Sequence, residues 1–376
     1  MNFVFVCGGT AGHINPAIAI AEQMLATQPE SKILFIGADR ILEKRLVPAA
    51  GFDLVNIKMS GLRRGLKPKD LAYNIKTAMS LIAANSKSAK LLKTYKPDAV
   101  IGTGGYICYP VLKKAAKFKI PTLILEPNAL PGLTVRMLSA TVDKILVTFP
   151  GLEDRYKKPQ NVIYTGTPLK KGFFEEDKGT DASGKSARVY EKPLVVSFWG
   201  SLGASKMNRE IADFIRRNIE EKKFYHIHAT GVAASAEEMR QELEKSACDK
   251  TLALVADIRE YIDDMPSVMK AADIVISRAG ASTIAELAAQ GKPAILIPSP
   301  NVTENHQEVN AMQMQKAGGA IVIKESESSG DKLFDTVAAL LDNKEKLEKM
   351  KTAQKTLSAP DASKKIVEII LDTCRS

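Results

Sequence analysis

The chain has 376 residues, of which 45% are hydrophobic and 26% are charged, which favours two globular α/β domains over a single one. No charged leader precedes the first apolar run at residue 3, and no run approaches the roughly 18 apolar residues of a spanning helix, so we expect neither a secreted nor an integral membrane protein. The cysteines form no CxxC pair and lack a histidine at metal-ligand spacing, which disfavours a disulfide framework or a zinc site and favours a reducing cytoplasm. They are Cys7, Cys108, Cys248 and Cys374.

Short apolar runs rich in β-branched residues alternate with longer helical patterns along both halves of the chain. Strands are predicted at residues 3–7, 32–37, 54–58, 99–105, 122–126 and 144–149, and then at 194–200, 224–230, 252–256, 273–280, 293–298 and 319–323. The polar stretch between the halves, EEDKGTDASGKSARVYEKP at 175–193, has no periodicity and is typical of a linker or a long exposed loop.

The alternation predicts an α/β fold of two Rossmann-like domains, each built on a doubly wound parallel sheet. We place the domains at residues 1–170 and 193–358, with a linker at 171–192 and a C-terminal helix at 359–376 that can pack back on the first domain. Because ligands bind at the carboxyl ends of the strands in such sheets, we expect the site in a cleft that both domains face.

The first glycine-rich turn, GGTAGH at residues 8–13, fails the dinucleotide fingerprint G-x-G-x-x-G, because a threonine and a histidine hold its second and third glycine positions. This argues against a nicotinamide dehydrogenase. We predict a strand that ends at Cys7 and a helix entered through Asn15 as N-cap and Pro16 at its first position. Backbone N–H groups in such a turn favour anions or polar ligand oxygens, although a turn chosen only for packing is the alternative. The predicted buried face of the helix is Ala17, Ile20, Ala21, Met24 and Leu25.

Two further glycine-rich turns follow predicted strands in the second half, GSLGAS at 200–205 and RAGASTIAE at 278–286. The first turn stands directly after the first strand of its domain, which repeats the arrangement of the amino-terminal half. In the second turn, Glu286 has two interpretations that the residues leave open. It can complete a capping box with Thr283, or it can reach ribose hydroxyls from the first turn of a helix whose N-terminus holds a diphosphate.

Most of the net charge of +10 lies between residues 62 and 96. This basic segment holds nine lysines and arginines against one acid, Asp70. An anionic membrane surface is a stronger candidate partner than nucleic acid, since the chain has no recognition-module signature and few aromatics. Four apolar residues recur there at helical spacing, which is typical either of an interfacial helix or of an ordinary core-facing stripe. They are Leu71, Ile75, Met79 and Ile82.

Taken together, these motifs resemble the MurG family of peptidoglycan N-acetylglucosaminyltransferases, within glycosyltransferase family 28, over nearly the whole chain. The segments that carry the resemblance are GGTAGHINP (8–16), SGLRRG (60–65), YKPDAVIGTGGY (95–106), EPNALPGLT (126–134), YTGTPLK (164–170), GSLGA (200–204), EYIDDM (260–265), SRAGASTIAELAAQGKPAILIP (277–298) and NHQEVNA (305–311). The resemblance implies a GT-B fold and an inverting transfer from UDP-N-acetylglucosamine to a lipid-linked muramoyl-pentapeptide acceptor. It also implies a peripheral enzyme at the cytoplasmic face of the cell membrane that needs no metal or other cofactor.

The resemblance also implies roles for individual residues. His13 is the candidate general base, or else it orients the acceptor or contacts its diphosphate. Lys170 stands where the family often has an arginine among its donor contacts. The remaining contacts are Thr10, Ala11 and Gly12 near the donor sugar and acceptor, Asn128 and Gln307 at the sugar, Ser201 at the diphosphate, Ile262 at the uracil through its backbone, and Ala281, Ser282, Thr283 and Glu286 at the diphosphate and ribose. This favours ribose binding for Glu286.

Some residues depart from the family pattern, and two other functions stay open. Leu125 and Pro127 replace polar residues of a His-Glu-Gln-Asn run, Ala11 replaces a common glycine, and Lys170 keeps the charge of an arginine without its bidentate geometry. These changes affect individual contacts and leave the class of reaction the same. One alternative is a related UDP-sugar transferase acting on a glycolipid such as diacylglycerol. The other is a non-catalytic nucleotide-sugar sensor.

Overall fold

The computed structural model describes residues 1–59, 68–174, 190–246, 249–302 and 305–375, and the chain divides into two compact units. The first unit comprises Met1–Lys170 and Ala359–Ser376, and the second comprises Lys171–Ser358. Most of the predicted linker, the SGLRRG motif and Cys248 lie outside the described residues. The functions assigned to the two domains stay predictions.

The first unit is a parallel sheet between helices. Its strands are β1 (Asn2–Cys7), β2 (Lys32–Gly37), β3 (Asp53–Asn56), β4 (Ala99–Gly104), β5 (Thr122–Glu126), β6 (Lys144–Val147) and β7 (Val162–Tyr164). Its helices are α1 (Ala11–Thr27), α2 (Ile41–Ala49), α3 (Pro68–Tyr95), α4 (Cys108–Lys117), α5 (Leu133–Leu138) and, at the end of the chain, α14 (Ala362–Arg375). Among the described residues the strand order is β3-β2-β1-β4-β5-β6-β7.

Strand β1 shows why this sheet is covered on both faces. Its side chains alternate between two separate cores, with Phe3 and Phe5 in one and Val4 and Val6 in the other. A strand buried on both faces reads as a continuous apolar run, as expected for a parallel sheet. Helix α14 contributes to the Phe3 core, where Ile366 and two further apolar residues are fully buried beside α1.

The second unit repeats this architecture. Its strands are β8 (Leu194–Phe198), β9 (Tyr225–Ala229), β10 (Ala256–Arg259), β11 (Ile274–Ser277), β12 (Ala294–Leu296) and β13 (Ala320–Val322). Its helices are α6 (Ser205–Glu221), α7 (Ala236–Ser246), α8 (Asp249–Val255), α9 (Met265–Ala271), α10 (Ala281–Gln290), α11 (His306–Lys316), α12 (Gly330–Leu341) and α13 (Lys344–Thr356). The described strands are parallel, in the order β10-β9-β8-β11-β12-β13.

The predicted class, two doubly wound α/β sheets, is confirmed, and two strand assignments are corrected. Residues 252–255 lie in helix α8 rather than in a strand, because Leu252 and Val255 are buried three positions apart while the residues between them are exposed. The strand begins only at Ala256. Strand β7 was not predicted, since its three residues are only partly buried or exposed.

The strand orders place the ligand-binding edges of both units. The order reverses between β1 and β4 in the first sheet and between β8 and β11 in the second. A crevice forms at such a reversal beyond the carboxyl ends of the two strands. The glycine-rich turns follow these strands directly, so each unit presents its glycines at its own switch point.

Among the described residues, no helix has the length and apolar character needed to span a bilayer.

Candidate functional site

The amino-terminal turn leads into helix α1 earlier than predicted. The helix begins at Ala11 with Thr10 as N-cap, and the amides of His13 and Ile14 both donate to the Thr10 carbonyl, at 3.1 and 3.2 Å. The predicted start at Asn15 and Pro16 is therefore wrong, and Pro16 lies inside the helix. Pro16 is the sixth helical residue, so the helix lacks the hydrogen bond that an amide at this position would donate to the Gly12 carbonyl. Ala11, Gly12 and His13 form the first turn.

His13 has an imidazole whose tautomer the structure defines. Its Nδ1 lies 3.0 Å from the Thr103 carbonyl oxygen, while the Thr103 hydroxyl donates to the His13 carbonyl at 2.6 Å. A carbonyl oxygen only accepts, so Nδ1 must carry the hydrogen. In the neutral ring the lone pair is then on Nε2, the arrangement a general base requires.

Two glycines after β4 make room for this arrangement. A side chain at Gly104, which has a φ of +125°, would place its Cβ 2.1 Å from Nδ1 of His13. A Cβ at Gly105 would lie 2.5 Å from the carbonyl oxygen of Gly8. The turns after β1 and β4 are thus in direct contact, which accounts for glycine at positions 104 and 105.

Glu43 is a site residue that the sequence analysis missed. It lies in the first turn of α2 with none of its side chain exposed, and its Oε1 accepts from the Gly9 amide at 2.9 Å. Its other oxygen has no partner among the described residues. The carboxyl thus takes one of the amides that the glycine-rich turn was expected to offer to a ligand. Nothing in the local sequence of α2 marks it, because the contact joins residues 34 positions apart.

The loop after β5 carries Asn128 and is anchored by Glu126. The Glu126 carboxyl accepts from the backbone and side-chain nitrogens of Asn128, at 2.9 and 3.2 Å, and from the Gly132 amide at 2.7 Å. Burial raises the pKa of Glu126 to about 7, against the opposing effect of these hydrogen bonds. Leu125 and Pro127, the residues on either side of Glu126 that depart from the family pattern, are both buried.

In the second unit, the turn after β8 leads into α6 and approaches the backbone of a neighbouring loop. Gly200 and Gly203 have φ values of +82° and +79°, and a Cβ at Gly203 would lie 2.0 Å from the Thr230 carbonyl oxygen. Ser201 lies between the two glycines and is partly exposed. This close approach explains the glycine at 203 and presents Ser201 at the carboxyl end of the sheet.

Helix α10 settles the capping question for Glu286. The helix begins at Ala281 with Gly280 as N-cap, and no side chain caps it. Thr283 is its third residue, so no capping box with Glu286 forms at that end. Glu286 is the sixth residue and lies in the second turn rather than the first, which is a correction. Ala281, Ser282 and Thr283 form the N-terminal turn, where backbone amides favour an anion.

The remaining predicted contacts lie in three different places. Ile262 is buried between β10 and α9, so only its backbone is suited to a ligand. Gln307 lies in the first turn of α11, and its Oε1 accepts from the Ser299 amide at 2.9 Å. Its side-chain nitrogen therefore points away from Ser299 and is a hydrogen-bond donor. Lys170 is exposed at the boundary of the first unit, and no described contact ties it to the other donor residues.

Helix α3 contains much of the basic segment. Met79 and Ile82 are 67% and 72% exposed, so for these two residues the core-facing interpretation is wrong. Among the side chains of α3 that the structure describes, Thr77, Ala84, Ser88 and Leu92 are buried. Arg63, Arg64 and Lys67 lie outside the described residues, as do the side chains of Lys69, Leu71, Ile75 and Lys76.

In the part of the chain that the structure describes, no three His, Cys, Asp or Glu residues are grouped as metal ligands.

Comparison with known proteins supplies the family. The model of the glycosyltransferase family 28 N-terminal domain matches residues 3–147, and that of the family 28 C-terminal domain matches residues 194–366. A relative from Acetivibrio thermocellus is 40% identical over 376 residues, covering 100% of this chain and 99% of its own. One from Listeria monocytogenes is 38% identical over 367 residues, covering 97% of each chain. Both are named UDP-N-acetylglucosamine–N-acetylmuramyl-(pentapeptide) pyrophosphoryl-undecaprenol N-acetylglucosamine transferase.

Solved structures share the fold. The crystal structure of Acinetobacter baumannii MurG matches with a TM-score of 0.71 at 24% identity, covering 99% of this chain and 100% of that one. The Neisseria meningitidis UDP-GlcNAc 2-epimerase bound to UDP-GlcNAc matches with a TM-score of 0.66 at 16% identity, with the same coverage. At these identities the structural matches establish the architecture alone.

Proposed function

Because the chain belongs to glycosyltransferase family 28, we propose that it transfers N-acetylglucosamine from UDP-N-acetylglucosamine to a muramoyl-pentapeptide diphospho-undecaprenol acceptor. This is the step from lipid I to lipid II in peptidoglycan synthesis. The observation that carries the proposal is the 40% identity, over the whole chain, to a relative whose name states this reaction.

His13 is the general base in this proposal. With the hydrogen on Nδ1 held by Thr103, its Nε2 accepts the proton of the acceptor hydroxyl. The hydroxyl oxygen forms a bond to the anomeric carbon of the sugar, and the bond from that carbon to the UDP oxygen breaks with inversion. His13 acts first as a hydrogen-bond acceptor and ends as an imidazolium, stabilised through Nδ1 by the Thr103 carbonyl.

The second unit binds the nucleotide. The departing diphosphate is stabilised by the N-terminal turn of α10, at Ala281, Ser282 and Thr283, and by Ser201 at the turn before α6. Glu286 binds the ribose, and the backbone at Ile262 contacts the uracil. Asn128 and Gln307 contact the sugar. Lys170, Thr10, Ala11 and Gly12 complete the assigned donor contacts. These roles rest on the family resemblance, and the helix N-termini support the placement of the anion.

The acceptor carries a lipid tail, so we place the protein at the cytoplasmic face of the cell membrane. The exposed Met79 and Ile82 support this placement, because they lie on a helix whose lysines can meet anionic headgroups. Lys87 and Lys90, one to two turns further along α3, are both exposed. The partners are therefore UDP-N-acetylglucosamine, the lipid-linked acceptor and an anionic membrane surface.

A transfer assay with the full chain tests the function. Labelled UDP-N-acetylglucosamine is supplied with either the muramoyl lipid or diacylglycerol in detergent, and the labelled lipid product is measured. We expect transfer to the muramoyl lipid. Transfer to diacylglycerol alone would show that the acceptor is wrong, and absence of transfer to either lipid would contradict the enzyme assignment.

The variant His13→Ala tests the role of the base. A general base typically contributes a factor of about 10² to 10⁴, so kcat/KM is expected to fall by that amount while UDP binding changes less than about twofold. Thr27→Ala, an exposed change at the far end of α1, serves as the control and is expected to retain full activity. If His13→Ala transferred sugar at the wild-type rate, the base would have to be another group.

A further inference from the structure

The loop of residues 126–132 is held at several points. The carboxyl of Glu126, 1% exposed at the end of β5, accepts from Asn128 and Gly132 as described above. The Thr148 hydroxyl donates to the Pro127 carbonyl at 2.7 Å, and Arg155 donates through Nη1 to the Ala129 carbonyl at 2.7 Å. The backbone that carries Asn128 is therefore set before any ligand arrives.

Glu126 also determines which way the Asn128 amide is turned. An ionised carboxylate only accepts hydrogen bonds, whereas an amide side chain has a donating nitrogen and an accepting oxygen. Asn128 directs its Nδ2 to Oε1 of Glu126 at 3.2 Å. The opposite orientation would place two acceptor oxygens together in a buried position, which is unfavourable.

We propose that Glu126 is a positioning residue that turns Asn128 so that its carbonyl oxygen points away from the carboxylate and is offered to the donor sugar. Asn128 Oδ1 then selects a sugar that presents an O–H or N–H at that point. The inference rests on the proposed function, in which Asn128 contacts N-acetylglucosamine. A ligand without the sugar, such as UDP, does not depend on this contact.

The orientation depends on the ionised form of Glu126. Burial raises the pKa of this carboxyl to about 7, so it changes charge within the working pH range. A protonated carboxyl has an O–H that must donate, and it can no longer accept from all three N–H groups. The charged and titratable groups near this cluster on the 153–156 segment are Arg155, the buried Tyr156 and Glu153. Burial raises the pKa of Tyr156 far above neutral pH, so this phenol stays uncharged over the range in which Glu126 titrates.

Binding measurements with the full chain test the inference. UDP-N-acetylglucosamine and UDP are titrated by calorimetry at several pH values between about 5.5 and 8.5. For the wild type we expect the sugar nucleotide to bind about tenfold more tightly above pH 7 than below pH 6, with UDP unaffected. Glu126→Gln, a neutral isostere, is expected to bind the sugar nucleotide about tenfold more weakly than wild type at pH 8, without the pH dependence.

Asp143→Asn provides a matched control. The Asp143 carboxyl accepts from the amide and hydroxyl of Thr122 at 2.8 and 2.7 Å, at the opposite end of the same strand. This variant loses carboxylate hydrogen bonds of similar geometry, although at an exposed residue, and is expected to retain wild-type sugar-nucleotide affinity. Equal weakening in both variants would show that loss of stability, rather than orientation, causes the effect.

The outcomes for the inference and for the function can be separated. Wild-type protein that shows no transfer to the muramoyl lipid overturns the proposed function. Active wild-type protein whose affinity for UDP-N-acetylglucosamine is independent of pH and unchanged in Glu126→Gln overturns the inference alone. Because the wild-type titration needs no substitution, a variant that fails to fold does not remove the test. Faster hydrogen exchange of the Gly132 amide in Glu126→Gln would support it independently.

Discussion

At the scale of single residues, the amino-terminal site depends on the absence of side chains as much as on their presence. The ring of His13 lies against Gly104, whose φ of +125° is one that glycine adopts readily and other residues rarely do. The same turn is held from the other side by the buried carboxyl of Glu43 on the Gly9 amide. Residues 103 and 104 therefore contact the imidazole directly, and Glu43 holds the turn that carries it.

The variant Gly104→Ala is expected to displace His13. Its Cβ would fall 2.1 Å from Nδ1, far inside contact distance, so the ring must move. A displacement of about 1 Å at a catalytic group can lower the rate by roughly 100-fold. We expect kcat to fall by about that factor while UDP affinity, measured by calorimetry, stays at the wild-type value.

Gly51→Ala is the control for backbone strain. Gly51 also has a positive φ, +80°, but a Cβ there would meet no atom within 4 Å. Both variants add a side chain at a positive φ, which strains the backbone, and only Gly104→Ala meets His13. A similar loss of kcat in both would mean that strain, and not the histidine, controls the rate.

At the scale of secondary structure elements, helix α3 has an unusual distribution of side chains. Where its side chains are described, the buried positions are Thr77, Ala84, Ser88 and Leu92, and the hydroxyls of Thr77 and Ser88 donate to the carbonyls of Tyr73 and Ala84 in the helix itself. Large apolar side chains, Met79 and Ile82, are exposed. Two large apolar side chains exposed about one turn apart on a helix are typical of a surface that meets a partner or a membrane.

The double variant Met79→Ser/Ile82→Ser is expected to lose membrane binding without losing stability. Burial of a large apolar side chain contributes roughly 1.5–3 kcal/mol, so loss of two should weaken vesicle binding by at least about tenfold. The melting temperature should stay at the wild-type value, because both side chains are exposed in the free protein. Sedimentation with vesicles containing anionic phospholipid, at low and high salt, measures the effect.

Leu254→Ser is the matched control for this experiment. Leu254 is 69% exposed on α8 in the second unit, and its loss should leave vesicle binding intact. Wild-type binding should also weaken as salt is raised, since screening reduces the attraction of the lysines. Vesicle binding that did not change with salt or lipid charge would exclude α3 as the membrane surface. Vesicle binding that weakened equally in Leu254→Ser would exclude it as well.

At the scale of the whole molecule, the two units are expected to respond differently to acid. In the second unit Ser197 Oγ lies 2.7 Å from both Nε2 of His226 and Nδ1 of His228, and all three side chains are fully buried. Burial lowers the pKa of His228 to about 3 and that of His226 well below its ordinary value. In the first unit the shift has the opposite direction, since burial raises the pKa of Glu126 to about 7.

Acid should therefore destabilise the second unit selectively. A folded-state pKa below the unfolded value of about 6.5 means that the histidines contribute full stability above pH 6.5 and lose it as the pH falls, by about 1.4 kcal/mol per pH unit for each. For Glu126 the sign is opposite, because its stability contribution is complete below its unfolded pKa and is lost as pH rises through 7. Calorimetric melting between pH 7.5 and 5 should show the transition of the second unit moving to lower temperature first.

Two histidine variants check the source of this effect. His226→Gln removes one of the buried titrating groups and should roughly halve the slope of stability against pH in the second unit. His306→Gln, a change at the partly exposed start of α11, should leave that slope as it is. A wild-type second unit whose stability did not fall between pH 6.5 and 5 would contradict the assignment.

Local patterns in the sequence determined most of the strands, the glycine-rich turns and the family, because alternating apolar runs and glycines at strand ends report the backbone directly. Where two local signals competed, the prediction from the sequence pattern was wrong. Asn15 and Pro16 resemble a helix start, yet α1 begins at Ala11, and the apolar residues 252–255 fit a helix better than a strand. A short apolar run is compatible with both structures, and only packing against the neighbouring elements decides between them.

What only the tertiary structure decided are the contacts between residues distant in sequence. The Nδ1 hydrogen of His13 is assigned by Thr103, 90 positions away, and Glu43 reaches Gly9 across 34 positions. The sequence identified His13 and Asn128 as candidate site residues, but the tautomer of one and the amide orientation of the other depend on which polar atoms the fold brings within hydrogen-bond distance. Hydrogen bonding is short-ranged and directional, so these properties exist only once the chain has folded.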